Sequence, residues 1–261
     1  MAPERSRILH YRLPGNLGPS QVASSDEHAL DFILTAEMVA GWLLPNASNF
    51  SFLVELCKGE LHGYGVYKPG AGEAPLWDFP SGNLYKRECA AYVMSEFLGW
   101  GFVPPTVQRE GELGTGSLQL YVPPQEASNF FTVREHYRNE TFRMAVFDMI
   151  VNNADRKGGH CFEAEDGSIC GCDHGLTFHV TKKLRTVIWD YGGEMIPNWI
   201  LDDVRALPHQ LALPTSPVAA ALLEWITPAE LQAVGQRVAA ILEKPVMPQP
   251  TTRRDFPWPY I

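Results

Sequence analysis

The chain has little cysteine, little positive charge and no long apolar run, and each shortage closes off a class of protein. Five cysteines in 261 residues are too few and too scattered for a disulfide framework, so a reducing cytoplasm is the expected setting. No stretch approaches the roughly 18 apolar residues that a spanning helix needs. The most apolar segment, Val218–Ile226, is half that length. The opening residues, MAPERSRILHYRLPG, mix charge and proline without an apolar signal region, so export is not expected. Lysine and arginine total 21 against 30 acidic residues, a net charge of −9. The basic clusters, Lys182-Lys183 with Arg185 and Arg253-Arg254, are short. Neither nucleic acid nor a membrane surface is therefore an expected partner. Internal repeats and low-complexity tracts are also missing, which removes solenoids and linker proteins.

What is present is an ordinary globular composition, 45% hydrophobic and 20% charged, enough to bury a sizeable core. Residues 1–27, rich in proline, glycine, serine and charge, read as a loosely ordered lead-in. Met38–Leu44, Phe50–Leu56 and Leu61–Lys68 are short apolar segments separated by turn chemistry, as in an antiparallel meander. Leu84–Leu98 has helical spacing and Gly99 as a stop. Two further strands are expected around Thr106–Arg109 and Ser117–Val122. Beyond them the pattern is mainly helical, with helices over Val133–Val151 and Pro228–Leu242 around a strand-and-turn region at 160–190. This order predicts an α+β fold of two lobes. A sheet lobe with one helix spans 28–122, a mainly helical lobe spans 123–244, and a proline-rich tail, 245–261, packs on the surface.

Two groups of polar residues carry chemistry. Lys68 ends an apolar strand, and Glu88 follows twenty residues later within a helix. Such a strand lysine held by a helical glutamate can grip nucleotide phosphates. The second group follows an apolar helix: Asn152-Asn153-Ala154-Asp155-Arg156-Lys157-Gly158-Gly159-His160, then Asp173-His174-Gly175. Phosphoryl transfer needs a carboxylate to orient a hydroxyl, a cation to offset oxygen charge, and ligands for a bridging metal. Asp155, Lys157 and the pair His160 and Asp173 supply those types. Gly158-Gly159 is expected to allow a tight loop, and Gly175 to let the backbone turn behind the metal carboxylate.

On these motifs, from about Leu43 to Trp189, the chain resembles the phosphoinositide 3/4-kinase-like family of small bacterial proteins, within the atypical kinases. Leu44-Pro45-Asn46-Ala47-Ser48-Asn49 resembles the first hairpin turn, and Val66-Tyr67-Lys68-Pro69 the lysine strand. Pro75-Leu76-Trp77-Asp78-Phe79-Pro80 resembles the loop that follows. The segments around Asp155 and Asp173 resemble the catalytic and metal-binding motifs. The resemblance implies a two-lobed protein-kinase-like fold using ATP with Mg2+ or Mn2+ to phosphorylate a hydroxyl on a protein or small molecule. It makes Asp155 the catalytic aspartate, Lys157 a phosphate contact and Asp173 the chief metal ligand. Lys68, partnered by Glu88, becomes the phosphate grip, and Tyr121-Val122 the residues beside adenine. The chain departs from the pattern twice. His160 stands where kinases place asparagine, an imidazole that suits manganese better than magnesium if it ligates at all. The hairpin turn has no glycine-rich loop, leaving Ser48 and Asn49 to meet the phosphates.

Three alternatives stand beside this reading. His160, Cys161, Cys170, Cys172, Asp173 and His174 are dense enough to suggest zinc, although Cys-Gly-Cys is not the usual knuckle spacing. The fold can also serve as a pseudokinase that binds nucleotide or a partner without transfer. A kinase-fold enzyme transferring AMP would use the same metal and lysine.

Overall fold

The computed structural model describes residues 8–10, 17–45, 49–80 and 82–261. They form two compact units, one of residues 1–89 with 104–122, the other of 90–103 with 123–261. Segment 90–103 thus packs with the second unit, although it precedes the last strands of the first. The apolar residues Met94, Leu98, Trp100 and Phe102 explain this, because they belong to the second unit's core.

The first unit contains β1 (Leu9–His10), α1 (Ala29–Thr35), β2 (Glu37–Leu43), β3 (Phe52–Lys58) and β4 (Leu61–Pro69). The opening residues of α2 (Leu84–Phe97), up to Cys89, also belong to it, followed by β5 (Thr106–Gly111) and β6 (Gly114–Leu120). Strand order is β1-β2-β3-β4-β6-β5, antiparallel except for the β1–β2 pair. The expected meander is present with ends shifted by a residue or two. Its alternation is physical: Val54 and Leu56 enter a core with Phe32 and Ile33 of α1 and with Tyr67, Leu118 and Leu120. Arg109 donates to the carbonyls of Ile33 and Ala36 at 2.5 and 2.9 Å, satisfying the end of α1.

The lead-in does more than expected. Leu9 is buried and pairs with Gly41, Val22 is buried, and the Gln21 amide donates to the His62 carbonyl at 2.9 Å. Helix α1 itself was not legible, since seven residues carry barely two turns of pattern.

In the second unit, α3 (Phe130–Val133) precedes α4 (Arg138–Val151). The single helix expected from Val133 is therefore interrupted at residues 134–137, with Tyr137 outside helical geometry at φ −117°, ψ 47°. The α4 side chains are buried on almost every side, including Phe142, Val146, Phe147 and Ile150, which marks a core helix rather than a surface one. Strands β7 (Cys161–Glu163) and β8 (Ile169–Gly171) form a small hairpin. Then come α5 (Asn198–Val204), α6 (Leu207–Leu211), α7 (Pro217–Leu223) and α8 (Pro228–Glu243). Helix α8 begins as its sequence dictates, with Thr227 and Glu230 in a reciprocal capping box and Pro228 in the first turn. The tail lies over 186–196: Met247 and Ile196 amides pair with the Glu194 and Pro245 carbonyls, and the Thr186 amide with Asp255. Among the described residues no helix is long and apolar enough to cross a membrane.

Candidate functional site

In the first unit, β4 delivers Lys68 and α2 delivers Glu88, and their Nζ and Oε1 atoms are 2.5 Å apart. The Glu88 side chain is 4% exposed and that of Lys68 23%. A carboxylate so buried holds its charge only beside a cation, while the lysine side chain keeps some exposure to solvent. Asn49, expected beside the phosphates, braces a neighbouring loop. Its Oδ1 accepts the Ala74 amide at 2.8 Å, and the Phe50 amide donates to the Gly72 carbonyl at 3.1 Å. The turn is thus tied to loop 70–74. Ser48 lies outside the described residues. Tyr121 directly follows β6, its amide donating to the Tyr64 carbonyl at 2.9 Å, and Val122 is buried beside it in sequence.

In the second unit the loop after α4 is organised by a buried arginine. Asn152 caps α4 in the left-handed region at φ 56°. Its side-chain amide donates to the His179 and Thr181 carbonyls at 2.8 and 2.7 Å. The Asn153 side chain bridges Asp148 Oδ1 and the Asp155 amide, 3.0 Å each way. Arg156, fully buried, grips Asp148 through Nε at 3.0 and 3.2 Å and through Nη2 at 2.9 Å. Its Nη1 donates to the carbonyls of His160 at 3.1 Å and Cys172 at 2.9 Å, and Nη2 meets His174 Nε2 at 2.7 Å. One guanidinium therefore joins α4, the Asp155 loop and the Asp173 segment. Its planar set of five donors allows this; an ammonium would not reach so many partners. Asp148 and Arg156 were assigned no role from sequence, and His174 only a place among the candidate zinc ligands. The available signal was a carboxylate within an otherwise apolar helical run, which must find a cation when buried.

Asp155 and Lys157 meet at 3.1 Å with both side chains mostly buried. Burial pushes the Asp155 carboxyl up, Lys157 pulls it down and Asp173 raises it again, with a net upward shift. His160 Nε2 and Asp173 Oδ2 are 3.3 Å apart. Asp173 itself takes left-handed geometry at φ 58°, an uncommon conformation that turns its carboxylate outward. The backbone turns at Gly175 as expected, although none of Gly158, Gly159 and Gly175 is among the described glycines with positive φ. Gly158 is needed for closeness instead: a Cβ there would lie 2.7 Å from Phe131.

The donors test a divalent cation directly. Asp155 and Asp173 repel each other, and a cation relieves that repulsion. Adjacent ligands at about 2.1 Å from an octahedral ion stand about 3 Å apart, close to the His160–Asp173 separation. The imidazole fits less simply. Its Nδ1 accepts the Lys157 amide at 3.3 Å, so in the neutral ring the proton sits on Nε2 and points at Asp173. Asp173 thus fits as a ligand, while His160 is set to donate to it. For the zinc alternative, burial pushes the Cys161 and Cys170 thiols up to about 12 and about 11, so a metal there would have to displace their protons. Residues 160–174 also bring no three such ligand atoms together among the described residues.

With this geometry in place, comparison with known proteins is informative. No family model matches the chain. Protein Rv2133c of Mycobacterium tuberculosis is 38% identical over 277 residues, spanning 93% of this chain and 98% of that protein. The hydra Fam20 structure with sugar superposes with a TM-score of 0.52 at 14% identity, covering 86% of this chain and 91% of that one. The Golgi casein kinase structure gives 0.50 at 14% identity, covering 87% and 82%. The fold is therefore kinase-like.

Proposed function

The chain belongs to the family of the mycobacterial Protein Rv2133c, and we propose that it is an ATP- and divalent-metal-dependent phosphotransferase, an atypical kinase. The observation that carries this reading is the Arg156 hub, which anchors the Asp155 loop and the segment leading into Asp173 to one helix. A chain with no use for two mutually repelling carboxylates has no reason to hold both in place with a buried cation.

In this reading Asp155 holds the acceptor hydroxyl and takes its proton, and its raised affinity for protons suits a general base better than an ordinary aspartate. Lys157 keeps that carboxylate ionised and offers its charge to a phosphate oxygen. Asp173 holds Mg2+ or Mn2+, and His160 orients Asp173. The metal, when bound, offsets the charge of the ATP phosphates. Lys68, steadied by Glu88, grips those phosphates. Tyr121 and Val122 stand in as the adenine contact by resemblance to kinases, as does the narrower likeness to phosphoinositide 3/4-kinase-like proteins. The net charge of −9 opposes an anionic lipid surface, so the acceptor is a hydroxyl on a protein or small molecule. Five free cysteines suit a cytoplasmic setting.

Calorimetry of ATP with Mg2+ and then Mn2+, on the wild type and on Asp173→Asn, tests the reading. Metal-dependent binding that the variant loses is expected; no binding with either metal overturns it. Incubation with ATP labelled at the γ- or the α-phosphate then separates phosphoryl from AMP transfer, and a bound nucleotide with neither label transferred identifies a pseudokinase.

A further inference from the structure

We propose that the sheet of the first unit carries a separate cation site, for a divalent ion of the Zn2+ class, held by Glu55, Cys57 and His62 with Glu37 alongside. The proposal stands independently of phosphotransfer.

The site follows from strand alternation. Val54 and Leu56 of β3 face the core beneath α1, so Glu55 and Cys57 take the opposite face. His62 of β4 is the register partner of Cys57, and so is Glu37 of β2. Glu37, Cys57 and His62 therefore form one row across three strands, with Glu55 two residues away on the same face. Cys57 Sγ is 3.1 Å from His62 Nδ1, and His62 Nδ1 is 4.0 Å from Glu55 Oε1. The three ligand atoms all lie within 4.8 Å of one another. Glu37 and Glu55 both place negative charge at the sulfur.

These distances suit a small tetrahedral ion. With bonds of about 2.3 Å to sulfur and about 2.0 Å to nitrogen, the two ligands stand about 3.5 Å apart, within a small rotation of the observed separation. Sulfur and imidazole together select a borderline-soft metal over magnesium or calcium, which demand oxygen. On binding, Cys57 releases its thiol proton to solvent as the metal–sulfur bond forms. The side chains of Glu55 and His62 are 32% and 52% exposed, so an ion can enter. Five residues of β4 lie between His62 and Lys68, a span of about 20 Å, which keeps this site distinct from the phosphate-gripping lysine.

The test is titration of the metal-stripped full chain with Co2+, a visible stand-in for zinc. A sulfur-to-cobalt charge-transfer band should appear, saturate at one equivalent and vanish when Zn2+ is added. Cys57→Ser should abolish the band while leaving the circular dichroism unchanged. Glu55→Gln and His62→Gln should each weaken binding on the order of 10-fold or more. Cys172→Ser and Asp173→Asn should retain the band. Its absence from saturated wild type, or its persistence in Cys57→Ser, overturns the proposal.

Discussion

Each unit holds a buried or half-buried ion pair close to the candidate site residues, and the two pairs have different designs. In Lys68–Glu88 the carboxylate side chain is 4% exposed and the lysine side chain 23%. Arg156–Asp148 is fully buried on both. Arg156 spends its guanidinium donors on protein atoms, whereas the Lys68 side chain stays partly accessible to solvent. The first design suits the binding role proposed above, and the second is architectural. The lesson is that a charged pair near a site is read from its exposure and its remaining donors, not from its charge.

The largest effect that would break this contrast is on folding. Asp148→Ala strands a buried guanidinium, and should cost about 3–5 kcal/mol of stability, read from the denaturant midpoint. A cost below about 1 kcal/mol would remove Arg156 from its place as the hub. Asp155→Asn comes next: transfer from ATP should fall about 10²–10⁴-fold with the midpoint hardly moved. Burial already works against the ionised carboxylate, so a neutral amide loses little. A large drop in stability would make Asp155 structural instead.

Lys68→Met should weaken ATP binding about 10-fold or more, at a stability cost of about 1–2 kcal/mol, less than Asp148→Ala because water can reach one side of the pair. Equal costs for the two variants would erase the distinction between them. The smallest effect concerns Tyr67, whose buried hydroxyl donates to the Gly114 carbonyl and is pushed up to about 12, chiefly by burial. Below pH 10 both folded and unfolded chains keep this proton. Between pH 10 and about 12 only the unfolded chain releases it, so stability falls as pH rises through that window. Tyr67→Phe should flatten that alkaline decline at a cost of about 1 kcal/mol near neutrality.

Much of the fold was legible because its signals are local. Strands β3 and β4 alternate and are bounded by turn residues, and α8 announces itself through Thr227, Pro228 and Glu230. The candidate site was legible in its motifs, Asp155 through His160 and Asp173 through Gly175. Other features were hidden because their cause is remote. The short α1 is held by Phe32 and Ile33 entering the sheet core and by Arg109 on its final carbonyls. Asn49 turned out to brace a loop 25 residues away. The left-handed backbone of Asp173 was not foreseen either, although aspartate enters that region more readily than most residues.

By itself, then, the sequence determined the order of strands and helices, the lysine, glutamate and aspartates on offer, and the absence of a disulfide framework. Those properties depend on neighbours a few residues apart or on composition. Tertiary structure alone decided that Arg156 would bind Asp148, His160 and Cys172 together, and that Nε2 of His160 would face Asp173. It also decided that Glu37, Cys57 and His62 would form a row across three strands. Each of these depends on register and burial, which are settled only when distant segments exclude water from between them.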